Sequence, residues 1–176
     1  MKRLLYEGGW INGNYAGPGV RFLEDGSSLE GLFINGVVEG WGKLETPKGE
    51  SYEGEFVKGL YEGRGTWKQE GIAVYSGHFR ANKKEDCTGN ATLLELNGRL
   101  GTLTGKWVND VLQGIATYCP GPQSRTGANA AVVSEQRHYL DGTLHGKLLI
   151  TFSDDVICTR EYERGVLQSQ AVRGDD

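Results

Sequence analysis

One five-residue phrase recurs along this chain at a spacing that few folds can accommodate. Tyr6-Glu7-Gly8-Gly9-Trp10, Leu29-Glu30-Gly31-Leu32-Phe33, Tyr52-Glu53-Gly54-Glu55-Phe56 and Tyr75-Ser76-Gly77-His78-Phe79 start 23 residues apart each time. A fifth, Leu103-Thr104-Gly105-Lys106-Trp107, follows after 28 residues, and two weaker copies put Tyr139 and Tyr162 at the aromatic position. Self-similarity at a fixed short period marks a repeat architecture, in which each unit buries its apolar face only by stacking on its neighbours.

Within the phrase, strand side chains alternate, so residues one, three and five share a face. Two large residues therefore bracket a glycine, which leaves room for a neighbouring ring to cross the strand, while Glu7, Glu30 and Glu53 point the other way. Asn12-Gly13, Asn35-Gly36 and Lys58-Gly59 follow as tight turns, since glycine and asparagine tolerate positive φ. A second glycine pair (Gly17 and Gly19, Gly40 and Gly42, Gly63 and Gly65) is read as the return into the second strand, and Asp25-Gly26, Lys48-Gly49 and Glu70-Gly71 as the passage to the next hairpin. A helix is a poor alternative, because each interior glycine costs about 1 kcal/mol against alanine. The expected fold is all-β: an elongated single-layer antiparallel sheet of stacked β-hairpins. It forms one domain over 1–176, with repeats at 6–28, 29–51, 52–74, 75–102, 103–119, 135–157 and 158–168 and a mobile loop at 120–131.

Composition narrows the function. The 28 glycines come without a three-residue period and with only 4 prolines, which excludes collagen. The 4 Trp and 8 Tyr supply enough apolar surface to argue against disorder. A net charge of −4 with both signs interspersed gives neither the basic face that nucleic acid needs nor a polybasic cluster for anionic lipid. Cys87, Cys119 and Cys158 are odd in number and widely spaced, so a reducing, cytoplasmic compartment is expected. The first residues turn polar too early for a secretory signal. On that ground the acceptor-like Asn90-Ala91-Thr92 and the Arg173-Gly174-Asp175 tail are read as coincidence.

The phrases resemble the membrane occupation and recognition nexus (MORN) repeat, with a pattern of the form Tyr-x-Gly-x-Trp-x-x-Gly-x-x-x-Gly-x-Gly, over residues 4–168. Copies one to three match it closely, and Arg137 and Arg160 stand where the first four copies have glycine. Glu24–Gly31 and Gly101–Trp107 are also similar to repeats that precede the catalytic domain of SET-type lysine methyltransferases, but no SET domain follows. The resemblance implies a groove lined by the repeat aromatics. It also implies a role as scaffold or partner-binding module, as in junctions, cytoskeletal structures, cilia and kinases.

Candidate chemistry is sparse. His138, His145 and Cys158 have the residue types for a zinc site or a Cys–His nucleophile but no recognisable motif. The glycine pairs open no helix and end in no Gly-Lys-Ser/Thr, so they are turns rather than a phosphate loop. No enzyme, metal or cofactor is expected.

The expected function is a non-enzymatic scaffold binding an extended peptide or amphipathic helix along the groove, with no nucleic acid partner. A membrane-surface adaptor, or an accessory piece related to a lysine methyltransferase, is the alternative. Open sheet edges also leave room for a homodimer. The partner-binding residues are expected to be Tyr6, Trp10, Phe33, Tyr52, Phe56, Tyr75, Phe79 and Trp107. Among these, Trp10, Phe33, Phe56, Phe79 and Trp107 are read as a packed spine and the tyrosines as rim contacts with outward hydroxyls.

Overall fold

The computed structural model describes residues 5–71, 73–94, 100–121 and 131–173, without the side chains at 87, 88, 90–94 and 100. Most of the loop expected at 120–131 therefore lies outside the described residues, as do the tail after Arg173 and the side chain of Cys87. Among the described residues the chain is all-β, with no helix. It forms two compact units, Met1–Lys83 and Lys84–Asp176.

The first unit runs β1 (Tyr6–Ile11), β2 (Asn14–Phe22), β3 (Ser28–Ile34), β4 (Val37–Glu45), β5 (Glu50–Val57), β6 (Leu60–Gln69) and β7 (Ala73–Arg80). A two-residue strand, β8 (Lys83–Lys84), stands at the junction. The second unit runs β9 (Asp86–Leu94), β10 (Leu100–Val108), β11 (Val111–Pro120), β12 (Val132–Leu140), β13 (Thr143–Phe152), β14 (Ile157–Glu163) and β15 (Val166–Arg173). Within each unit every strand pairs antiparallel with the next in sequence, in an open sheet. β15 is exposed along its whole length.

The hairpins close on two-residue turns whose residues both have positive φ, as the right-handed strand twist favours. Asn12-Gly13 and Asn35-Gly36 do so with the residues such turns prefer, but Lys58-Gly59, Ala81-Asn82, Asn109-Asp110 and Arg164-Gly165 hold a less usual residue there. A carboxylate from the preceding repeat supports the first three of these. The carboxylates of Glu39, Glu62 and Glu85 accept the backbone N–H of Lys58 (3.0 Å), Ala81 (3.0 Å) and Asn109 (2.9 Å). Each is the first residue of the following turn. The second turn residue bonds backward as well: Gly36, Gly59 and Asn82 donate to the carbonyls of Tyr15, Val38 and Tyr61 at 2.9–3.1 Å. Repeats are thus stapled at their tips as well as along their strands.

The second glycine pair does not return the chain into a strand, as the sequence reading held. The second strand begins directly after the turn, at Asn14, Val37 and Leu60, and the glycines mark a β-bulge within it. In the second hairpin Gly31 pairs with Gly42 but Leu32 pairs with Glu39, so Gly40 (φ 72°) and Trp41 are looped out of register. The bulge leaves Trp41 60% exposed and adds local twist.

The ring expected to cross the glycine comes from the first residue of the phrase. A Cβ on Gly65 would sit 2.5 Å from the Tyr52 hydroxyl, and one on Gly54 would sit 2.6 Å from it. Gly54 and Gly65 face each other across β5 and β6, so the Tyr52 ring lies on a two-glycine bed. Gly8 and Gly19 make the same bed for Tyr6.

In the second unit the tyrosine moves to the opposite strand. Leu103 pairs with Tyr118, whose ring lies against Gly101, within a cluster of Leu103, Leu112, Ala116 and Tyr118. Arg137 stands at a position where the first four copies have glycine, yet it joins this packing. Its guanidinium lies 4.0 Å from the centre of the Tyr118 ring and its Nε bonds Glu135 at 2.7 Å, so a flat cation does what a further ring would do. Beyond it, Leu148, Ile150 and Cys158 form a separate aliphatic cluster.

Candidate functional site

The apolar face of the first unit is built from two rows. One holds the first aromatic of each phrase and its partner across the hairpin: Tyr6 with Arg21, Leu29 with Leu44, and Tyr52 with Trp67. The other pairs the last aromatic with a residue just past the turn: Trp10 with Tyr15, Phe33 with Val38, and Phe56 with Tyr61. Tyr6 stacks on Tyr15 with ring centres 4.0 Å apart, and Tyr52 on Tyr61 at 3.6 Å. Phe33 meets Tyr6 edge-on at 5.2 Å, and Phe79 meets Tyr52 edge-on at 4.9 Å. Such arrangements add about 0.5–1.5 kcal/mol per pair beyond the burial itself.

Over this face lies an open groove of about 530 Å³ centred on the second hairpin, walled by Leu29, Leu44, Val37 and Tyr61 and floored by Phe33, Val38 and Phe56. A second hollow of about 440 Å³ adjoins it along Arg21 and Leu23 and reaches Leu5, Tyr15 and the Glu24–Asp25 loop.

The sequence-predicted site residues divide sharply. Tyr6, Phe33, Tyr52, Phe56, Tyr75 and Phe79 are buried. Trp107 is half-buried, its indole N–H donating to the Gly89 carbonyl at 3.3 Å. Trp10, expected in the spine, is 58% exposed.

The tyrosines are not rim contacts with outward hydroxyls, and that expectation is corrected. Tyr52 and Tyr75 are 0% and 1% exposed, and their hydroxyls turn inward to the carbonyls of Glu55 (3.0 Å) and His78 (3.2 Å). The glycine bed draws the ring down across the strand, so the hydroxyl reaches the sheet backbone instead of solvent.

Residues the sequence reading did not assign to the site line much of the groove: Arg21, Leu29, Val38, Leu44 and Tyr61, with Tyr15 in the adjoining hollow. A signal was present, because a two-residue turn sets the residue five places after each spine aromatic directly opposite it. Starting the second strand too late hid that pairing.

Burial pushes the Tyr52 phenol well above its ordinary value, with the neighbouring Tyr61 adding to the effect, and burial shifts Tyr61 in the same direction. A raised folded-state value means that the unfolded chain releases this proton first. The resulting stabilisation is intact below about pH 10 and is lost as pH rises above it, at about 1.4 kcal/mol per pH unit for Tyr52. Chemical denaturation between neutral pH and pH 11 is expected to show a midpoint that falls only above pH 10, and Tyr52→Phe is expected to flatten that fall.

Among the described residues no group of three or more His, Cys, Asp or Glu side chains is placed to hold a metal ion. His145 Nδ1 accepts the Arg164 N–H at 3.5 Å, and His78 is exposed. No helix among these residues is long and apolar enough to cross a membrane.

Open antiparallel sheets of consecutive hairpins, stapled tip to tip and bedded on paired glycines, define a β-hairpin repeat protein. The family model of the MORN repeat matches residues 6–28 and 52–68, so the chain carries MORN repeats over those residues. The MORN repeat is a non-catalytic module that mediates protein or membrane interactions. A comparison with curated proteins returns no match.

Proposed function

We propose that this protein is a non-enzymatic interaction scaffold whose first unit binds a segment of a partner protein along the aromatic groove. The observation that carries this reading is the groove itself: about 530 Å³ of open, mostly apolar space over a floor of buried rings. Its volume falls in the range of specific binding sites. Rigid aromatic and aliphatic walls give contact area at little entropic cost. The groove runs across the strands, so successive hairpins recur at about 9.6 Å along it, close to the roughly 10.5 Å rise of seven helical residues. That match favours an amphipathic helix over an extended strand.

A photo-reactive amino acid placed at Leu44, on the groove wall, is expected to capture a protein partner in cells. The same group at Lys43, on the opposite face, is not. Equal capture from both faces, or capture of lipid alone at Leu44, would overturn the groove as the binding surface.

A further inference from the structure

One residue breaks the apolar character of the groove face. A single row runs across the hairpins as Tyr6, Arg21, Leu29, Leu44, Tyr52 and Trp67, each paired with the next. The second strands of the first three hairpins thus place Arg21, Leu44 and Trp67 at equivalent positions. Leucine and tryptophan extend the apolar face there, whereas arginine brings a full charge onto it. Among the described residues the Arg21 guanidinium makes no ion pair and no side-chain hydrogen bond. It lies 5.9 Å from the centre of the Tyr15 ring, and the side chain is exposed.

The place of this charge is as informative as its presence. Among the described residues lining the groove of about 530 Å³, Arg21 alone is charged. It also lines the adjoining hollow of about 440 Å³, which continues to Glu24 and Asp25. The whole channel therefore reads apolar along Leu29, Leu44 and Tyr61, then positive at Arg21, then negative at its far end. A layer of anionic lipid headgroups would meet repulsion from Glu24 and Asp25. A single carboxylate beside an apolar helix face meets the guanidinium, and guanidinium–carboxylate bonds are charge-assisted and often bidentate. Such a pair at the edge of an apolar contact fixes register and choice of partner more than raw affinity.

Resting on the groove reading above, we infer that Arg21 is the residue by which the groove selects its partner. The amphipathic segment that binds there carries an Asp or Glu at one end of its apolar face, and that carboxylate pairs with Arg21. The apolar wall supplies the contact area, and Arg21 sets the direction in which the segment lies. Turned end for end, the segment would leave its carboxylate over apolar side chains without a partner, at a desolvation cost.

The test uses the full chain and a displayed library of peptides with apolar residues fixed at i, i+3, i+4 and i+7 and both flanks randomised. Asp or Glu is expected to be enriched at one flank and not at the other. Binding of the selected peptides is expected to weaken with added salt and to fall about tenfold or more in Arg21→Glu. Selection repeated on Arg21→Glu is expected to replace the acidic flank by Lys or Arg. Lys43→Glu makes the same change in net charge on the opposite face and is expected to leave binding unaltered. Thermal melts of both variants verify that the fold is kept.

A photo-reactive group at Leu44 separates the two ways of failing. Selected peptides that cross-link at Leu44 but lack an acidic flank, or that bind Arg21→Glu undiminished, would overturn the role of Arg21 and leave the groove reading standing. Peptides that cross-link from Lys43 and not from Leu44 would overturn both, as would a library from which nothing is enriched. Arg21-dependent binding of vesicles of phosphatidylcholine and phosphatidylserine, with no peptide enriched, would overturn a peptide partner in favour of lipid.

Discussion

Replacing Tyr52 by alanine is expected to unfold the first unit at ordinary temperature, at a cost of about 3–5 kcal/mol. That is a large fraction of what holds a domain of this size together. Tyr52 is fully buried, stacks on Tyr61, meets Phe56 and Phe79 edge-on, and donates its hydroxyl to the Glu55 carbonyl. Removing the ring strips four partners at once and opens a void over two glycines that have no side chains with which to close it. Tyr52→Phe keeps the ring and loses one hydrogen bond, so about 1 kcal/mol is expected. Thermal melts of the two variants would separate the contributions of ring and hydroxyl. Near-equal losses would show that the hydroxyl bond dominates and that the bed is not a packing device.

Gly54→Ala is expected to be nearly as damaging, at about 3 kcal/mol, although it adds a single methyl group. The new Cβ would lie 2.5 Å from the Gly65 Cα and 2.6 Å from the Arg64 carbonyl oxygen. These are backbone atoms of the paired strand, and they cannot swing aside as a flexible side chain would. Gly40→Ala is the contrasting case, because nothing lies within 4 Å of its would-be Cβ. Its cost is the left-handed conformation alone, about 1–2 kcal/mol. Denaturant midpoints for the pair test whether close approach or backbone conformation sets a glycine's cost, and a larger loss at Gly40 would reverse the assignment.

The hairpin architecture was legible because period, alternation and turn residues all pointed to one answer. Asn12-Gly13 and Asn35-Gly36 announce their turns, whereas Ala81-Asn82 does not. It is held in a left-handed conformation partly by Glu62, a residue 19 positions earlier, and a pairing at that distance leaves no local mark. The site was less legible for a related reason. Tyr and Trp are residues that sequence reasoning assigns equally to cores and to contact surfaces, and what divides Tyr52 from Trp10 is the neighbouring strand. A further hairpin packs beside the Tyr52 ring, while Trp10 belongs to the first strand of the series. The groove residues Leu29 and Val38 stand where tyrosines recur in the flanking repeats, and attention to matching positions did not assign them to the site.

The glutamate staples give the array a grammar with a direction. Glu39 closes the turn of the repeat after it, Glu62 the next, and Glu85 the one after that. A repeat therefore carries the latch for its successor rather than for itself. Inserting a duplicated repeat at a boundary preserves the reading frame of latches, since the new copy receives one from behind and offers one ahead. Exchanging a repeat for one without that glutamate would be felt downstream, in a neighbour whose own sequence is untouched. Sequence change in such an array is thus inherited by position, and the unit on which selection acts is offset from the unit that the eye first marks out.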